Sequence, residues 1–278
     1  KEAYPATDGK IQIASVHLMP QQSVVLIVTK QHVAVQDAGS LFTTLKKASE
    51  KGIMFGHQDS PCYGIGWEYE QDNSDVKRVC GDYPAVMGFD LGQIELGHEK
   101  NLDEVPFDLI RQEIIKQHQR GGISTLSWHG VNPLTGGSSW DNSDSTVVAS
   151  ILPEGKLHSK FSGWMDRLAD FLLSLQTTDG QKIPVLFRPW HEHTGSWFWW
   201  GQNLCSQAQY KALWSMLRQH LEARGVRHIL YAYSPGIEPK NEDDYLNRYP
   251  GDEYVDLLGF DYYQSDHGNY PAQMKRLL

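Results

Sequence analysis

Apolar positions along the chain follow two periods that take turns. Continuous runs occur at Ile53 to Gly56, Pro84 to Asp90, Gly121 to Trp128, Ile183 to Phe187, His228 to Tyr233 and Asp256 to Asp261. Their length and the turn formers around them predict strands buried on both faces. Between them, apolar residues recur at helical spacing. Leu41, Phe42, Leu45 and Ala48 follow a capping Ser40, and Gly52 ends that helix. Leu109, Ile110, Ile114 and Ile115 mark a helix over 108–120. Phe161, Trp164, Leu168, Phe171, Leu172 and Leu175 mark another, and Ser206 and Gly225 bound a further one. Strand and helix alternate six times, which predicts an α/β fold.

Polar residues gather where these strands end: His57 and Asp59, Asp90, His129, His191 and Glu192, Ser234, and Asp261. A (β/α)8 TIM barrel carries its active site on that face. A doubly wound open sheet would give the same alternation. No Gly-x-Gly-x-x-Gly follows a strand and no Walker-type loop is present, so nucleotide binding has no support. A closed barrel needs eight strand–helix units and about six are legible, so the remainder is expected beyond Leu278. The expected division is an N-terminal extension over 1–40 and a catalytic barrel over 41–278. Within the extension, Ile11 to Val16, Val24 to Val28 and Val33 to Val35 have the look of short strands.

Composition narrows the function classes. With 40% hydrophobic and 21% charged residues over 278 positions, a packed globular protein is expected. A net charge of −9 and the lack of any basic cluster argue against a nucleic-acid surface. No apolar run reaches the ~20 residues of a membrane span. Nine Trp and thirteen Tyr fit a well-filled core, with those beside polar cleft residues free to stack on a ligand. No Cys-x-x-Cys spacing suggests structural zinc. Cys62 and Cys80 flank a loop-like segment, and a disulfide or two free thiols both fit.

The chemistry concentrates in Ile183 to Gly201. The apolar run gives way at once to Arg188, His191, Glu192 and His193, with Pro189 and Gly195 to prevent a helix. Trp197, Phe198, Trp199 and Trp200 then form an aromatic wall. A carboxyl at a dry strand end beside rings should keep its proton near neutral pH. That suits Glu192 as proton donor in glycosidic cleavage, which pairs such an acid with a second carboxylate. A structural alternative is a salt bridge between Glu192 and Arg188. A second alternative makes His191 and His193 a metal pair, with His57, His129 or Asp261 as further ligands. The His-Glu-x-x-His zinc spacing is absent. His129 reads as a core histidine or a contact for a sugar hydroxyl. Asp261 reads as a helix cap or a cleft acceptor with Tyr263 beside it. Trp140 and Trp197 read as core or as stacking platforms.

Four motifs in order resemble one known family. Phe187 to Gly201 closely resembles the acid/base motif of family 26 glycoside hydrolases, chiefly β-mannanases. Gly52 to Asp59 resembles that family's first strand, Gly122 to His129 with Asn132-Pro133 and Gly136 to Trp140 its third strand and loop, and Asp256 to Tyr263 its sixth strand. The resemblance runs from about Leu41 to Tyr263. It implies a (β/α)8 barrel and a retaining endo-β-1,4-mannanase acting on mannan, glucomannan or galactomannan by double displacement. By motif position Glu192 is the general acid/base, and His191 stands beside it where related families usually have Asn. His129, Asp261 and Tyr263 match residues lining the subsite of the sugar being cleaved, and Trp197 an aromatic near the cleaved bond. Trp140 is the further substrate-binding candidate. The family's nucleophile is a Glu at the end of the seventh strand. No glutamate follows Glu253 here, so the nucleophile is expected beyond Leu278. No cofactor or metal is expected, since carboxyl groups do the proton and covalent work. A monomer in a secreted, periplasmic or cell-surface location is expected. Xylan or mixed-linkage glucan is the alternative substrate on the same fold, and a non-catalytic carbohydrate-binding protein the alternative from another class.

Overall fold

The structure, a computed structural model, describes residues 36–50, 52–236 and 238–263. The expected strands of the N-terminal extension lie outside the described residues. Helix α1 (Gln36–Ser49) leads into strand β1 (Gly56–Gln58). A small antiparallel hairpin, Tyr63–Gly64 against Trp67–Glu68, and helix α2 (Asp75–Cys80) precede strand β2 (Val86–Asp90). A turn of 3-10 helix (Ile94–Leu96) and helix α3 (Phe107–Gln119) lead to β3 (Ile123–Ser127). Helices α4 (Val147–Ile151) and α5 (His158–Ser174) precede β4 (Val185–Arg188). Helix α6 (Gln207–Ala223), β5 (Ile229–Tyr233), α7 (Glu242–Leu246) and β6 (Leu257–Leu258) complete the described chain.

The main sheet runs β1 to β6 in sequence order, with every neighbouring pair parallel. A doubly wound sheet would reverse its order partway. Sequential order with a helical crossover after each strand describes instead the arc of a (β/α)8 barrel.

Alternation along the strands builds two separate cores. Met87, Phe89, Leu126, Val185, Phe187, Ile229 and Tyr231 face outward into the layer of helices α3, α5 and α6. Their neighbours Val86, Leu186, Leu230 and Ala232 face inward, where Ala38, Leu41 and Leu45 of α1 cover them. Successive side chains of a strand point to opposite faces, so a strand apolar on both sides needs two covers. Each fully buried large side chain contributes ~1.5–3 kcal/mol.

Several element edges differ from the expectation. Ser40 is not a cap but an interior residue of α1, whose carbonyl accepts from Thr44 Oγ1. The apolar stripe reaches one turn further back, to buried Ala38. β1 lies two to three residues later than the run 53–56, which leaves Ile53 and Phe55 exposed. By contrast, Ser206 caps α6 as expected, in a full capping box with Gln209. All three cysteines are free, Cys62 and Cys205 buried and Cys80 exposed.

Candidate active site

The site lies where β2 to β6 end. β4 stops at Arg188, and the chain enters a tight turn in which Trp190 (φ 52°) and Glu192 (φ 53°) both adopt left-handed backbone. Such conformations cost about 1–3 kcal/mol each in non-glycine residues and persist only where surroundings enforce them. Here the Glu192 N–H donates to the Ser234 carbonyl of the next strand end (2.8 Å), and Gly195 N–H donates back to the Glu192 carbonyl (3.0 Å). Below the turn, His193 is fully buried and joined to Tyr233 Oη (3.0 Å) and Tyr210 Oη (2.9 Å). The Trp200 indole N–H donates to the His191 carbonyl (2.8 Å). The residues flanking the acid are thus anchors, and the acid itself is left partly exposed.

Glu192 Oε2 accepts the indole N–H of Trp197 at 2.8 Å. Burial, and then the negative charge of Asp261, push the Glu192 carboxyl up to about 7, while Arg188, Trp197 and His129 pull it back. The alternative salt bridge between Glu192 and Arg188 is not formed. Arg188 Nη1 donates to both carboxylate oxygens of Asp261 at 2.9 and 2.8 Å, and Ser234 Oγ donates to Asp261 Oδ2 at 2.7 Å. Burial pushes the Asp261 carboxyl up, and Arg188 and Ser234 oppose it by holding the charged form. Asp261 is therefore a cleft acceptor engaged by the strand floor.

His129 stacks on Trp140 with ring centroids 5.1 Å apart and planes 8° from parallel. His129 Nδ1 meets Asp90 Oδ2 at 2.6 Å, and its Nε2 meets His191 Nε2 at 3.0 Å. Asp90 is held down to about 2: burial opposes ionisation, but His129, Ser127 and the Gly92 N–H outweigh it.

Glu192, His191, His129, Trp140, Trp197 and Asp261 are thus linked into one constellation. Tyr263 follows Asp261 by two residues and is exposed. The aromatic wall resolves differently from expectation. Phe198, Trp199 and Trp200 are buried core, and the only exposed face in that run is Trp197. The metal pair does not form either. His191 and His193 lie in a turn, not on a strand, and their rings point to separate partners. Among the described residues, no three His, Cys, Asp or Glu side chains group as a metal site.

Asp90 carries a role that its sequence position only hinted at. It is an acid at a strand end, and its Cα partner in the neighbouring strand is Ser127, two residues before His129. The Arg188–Asp261 pair, 73 residues apart, had no local signal.

A raised carboxyl thus stands at the C-terminal ends of parallel strands, beside an exposed indole and near an ordered carboxylate, on the face where barrels of this kind carry their chemistry. The sequence model of glycosyl hydrolase family 26 matches residues 30–276. The chain belongs to glycosyl hydrolase family 26. A mannan endo-1,4-beta-mannosidase of Bifidobacterium adolescentis is 39% identical over 240 residues, which cover 84% of this chain and 24% of that protein. One from Bacillus subtilis is 29% identical over 205 residues, 69% of this chain and 53% of that protein. The chain thus spans about a quarter to a half of the length of these curated relatives. Among solved structures, a family 26 β-mannanase from Bacteroides ovatus superposes with a TM-score of 0.85 at 55% identity, covering 87% of this chain and 71% of that one. A modular endo-β-1,4-mannanase from Cellulomonas fimi superposes at 0.77 with 37% identity, covering 87% and 55%.

Proposed function

We propose that this chain is the acid/base-bearing part of a retaining endo-β-1,4-mannanase. The observation that carries the reading is the Glu192 carboxyl, pushed up to about 7 and held by the Trp197 indole N–H. Near neutral pH such a group is available both as an acid and, after donating its proton, as a base. In double displacement it protonates the leaving oxygen and then activates the water that releases the glycosyl–enzyme intermediate. Trp197, 37% exposed, and Trp140, 48% exposed, offer ring faces to the sugars. His129, His191, Asp261 and Tyr263 line the subsite of the sugar being cleaved, with Asp261 kept in place by Arg188 and Ser234. The relatives named above support mannan, glucomannan or galactomannan as substrate.

Double displacement needs a second carboxylate about 5–5.5 Å from the acid. Asp261 is the neighbouring carboxylate that lifts Glu192, and Arg188 and Ser234 already occupy it. We assign the nucleophile to a glutamate beyond Leu278, as the family resemblance implies. The scheme uses carboxyl groups alone and calls for no cofactor. Among the described residues no helix is long and apolar enough to cross a membrane. A polysaccharide substrate calls for an enzyme that acts outside the cell or at its surface, and we assign it there as a monomer.

Glu192→Gln in the full-length protein tests the assignment. Turnover on mannan should drop by roughly 10²–10⁴-fold, the usual contribution of a positioned acid/base, with an unchanged circular dichroism spectrum. A near-normal rate would end it.

A further inference from the structure

Three groups from three successive strand ends stand in line, Asp90 and His191 buried and His129 partly buried between them. Asp90 closes β2, His129 follows β3 and His191 follows β4. Asp90 Oδ2 accepts from Ser127 Oγ at 2.6 Å as well as meeting His129 Nδ1. Its Oδ1 accepts the backbone N–H of Gly92 at 2.6 Å and of His129 at 3.3 Å. A carboxylate surrounded by donors in this way is ionised and only accepts, so the proton between Asp90 and His129 belongs to His129 Nδ1. The second contact differs. Two ring nitrogens facing each other at 3.0 Å share a single proton, so one histidine donates and the other accepts. The remaining nitrogen, His191 Nδ1, is buried and makes no hydrogen bond of normal geometry among the described residues, while the Arg188 backbone beside the ring favours a proton on it.

We propose that Asp90 is a positioning residue. By fixing the Nδ1 proton and the ring orientation of His129, it lets the proton on His129 Nε2 decide which nitrogen of His191 carries a proton. With that proton present, His129 is a cation donating to His191 Nε2, and His191 holds its own proton on Nδ1. When the pair loses one proton to solvent, it departs from His191 Nδ1, and the bridging proton passes from His129 to His191. His191 Nδ1 thereby changes from donor to acceptor with no heavy atom moving. The site then reads pH through the polarity of one buried nitrogen beside Glu192.

The surroundings place the charge on His129. Charged or titratable groups face it from several elements: Asp90 on β2, Asp103 in the loop after β2, Arg188 at the end of β4, Glu192 and His191 in the following turn, and Asp261 after β6. Burial works against the cation, and Asp90 more than offsets it, so His129 is raised. His191 is driven well below its ordinary value by burial and then by the Arg188 and His129 charges. Trp140, parallel at 5.1 Å, presents a ring face to the imidazolium.

The test is a ring-nitrogen NMR titration of the full-length protein with labelled histidine, assigned by His129→Gln. In the wild type, the His191 nitrogens should exchange character at the midpoint of His129. Asp90→Asn should lower that midpoint by about 1–3 pH units, the shift of losing an adjacent opposite charge. It should also alter the shape, not only the height, of the pH profile of kcat/KM on manno-oligosaccharides. An unmoved midpoint in Asp90→Asn, or His191 nitrogens indifferent to His129, overturns the proposal. Should Asp90→Asn not fold, Ser127→Ala takes its place. Removing that competing donor leaves Asp90 a stronger acceptor, so the midpoint should rise, and an unchanged or lower one overturns the proposal. The kinetic arm rests on the mannanase reading and the NMR arm does not. No turnover of mannan with the expected titration sinks that reading alone. Unmoved midpoints in an active enzyme sink this one alone.

Discussion

At the residue scale, folding keeps a proton on Glu192 at a cost in stability. Its carboxyl titrates near an ordinary 4.5 in the unfolded chain and at about 7 in the folded one. Between those values the folded state holds a proton that the unfolded state has lost. Folding stability therefore falls as pH rises through that window and stays low above it. At 1.36 kcal/mol per pH unit, the loss is up to about 3 kcal/mol, less what solvent screening removes from a partly exposed group. Glu192→Gln cannot ionise. In urea unfolding of the full-length protein it should be more stable than wild type at pH 8 and about equal at pH 4, the reverse of its effect on turnover. Equal stability at both pH values would mean that the site does not disfavour the Glu192 anion. The same shift places the loss of acid catalysis near pH 7, measurable as the alkaline limb of kcat/KM.

At the element scale, the turn after β4 is the part with least freedom. It carries two left-handed residues, and it closes where Gly201 packs against its own beginning. A Cβ at Gly201 would sit 2.6 Å from the Gly195 carbonyl oxygen, 2.9 Å from Ser196 Cα and 3.0 Å from the Phe198 carbonyl oxygen. These are backbone atoms, and they cannot swing aside as a side chain does. Gly201→Ala should cost about 1–3 kcal/mol by overpacking and, by displacing Glu192 and Trp197 together, reduce kcat roughly tenfold or more. Wild-type stability and kcat in that variant would show that the turn is looser than its contacts indicate. The short elements of the fold show why parts of it escaped the pattern. The hairpin at 63–68, α2, α4 and α7 are each too brief for a period to register. The long helices α3 and α5 were legible from an apolar stripe, which over three or more turns repeats often enough to fix its period, and α6 from the Ser206 and Gly225 that bound it.

At the scale of the whole molecule, six sequential parallel strands make one continuous floor, and Asp90, His129, Glu192 and Asp261 gather at their C-terminal ends. Two exposed indoles border these strand ends, Trp140 on His129 and Trp197 on Glu192, and both pack against Phe198. That pair suits an extended polysaccharide better than a small substrate. Discrimination between polysaccharides rests on how the pocket treats the axial 2-hydroxyl of mannose. A site built to hydrogen-bond one hydroxyl rejects analogues that lack it. The full-length enzyme should favour glucomannan or galactomannan over xylan and mixed-linkage glucan by at least about tenfold in kcat/KM. Comparable rates on all of them, measured as released reducing ends, would refute the mannan assignment while leaving the acid/base role standing.

Sequence alone determined the α/β alternation and the strand ends at which ionisable residues collect, Glu192 among them. Those features are written in local order: apolar runs of strand length, helical stripes between them, and ionisable residues just past each run. Tertiary structure decided which polar residues meet. Arg188 could have paired with Glu192 four positions away, but the barrel brings Asp261 to it from another strand end and leaves the acid to Trp197. Asp90, His129 and His191 become one chain only because β2, β3 and β4 lie side by side. Of four aromatic residues in succession, burial sends three into the core and turns one to solvent. Hydrophobic period encodes which face is covered. Pairings between distant strand ends depend on register and closure, and these exist only once the sheet has formed.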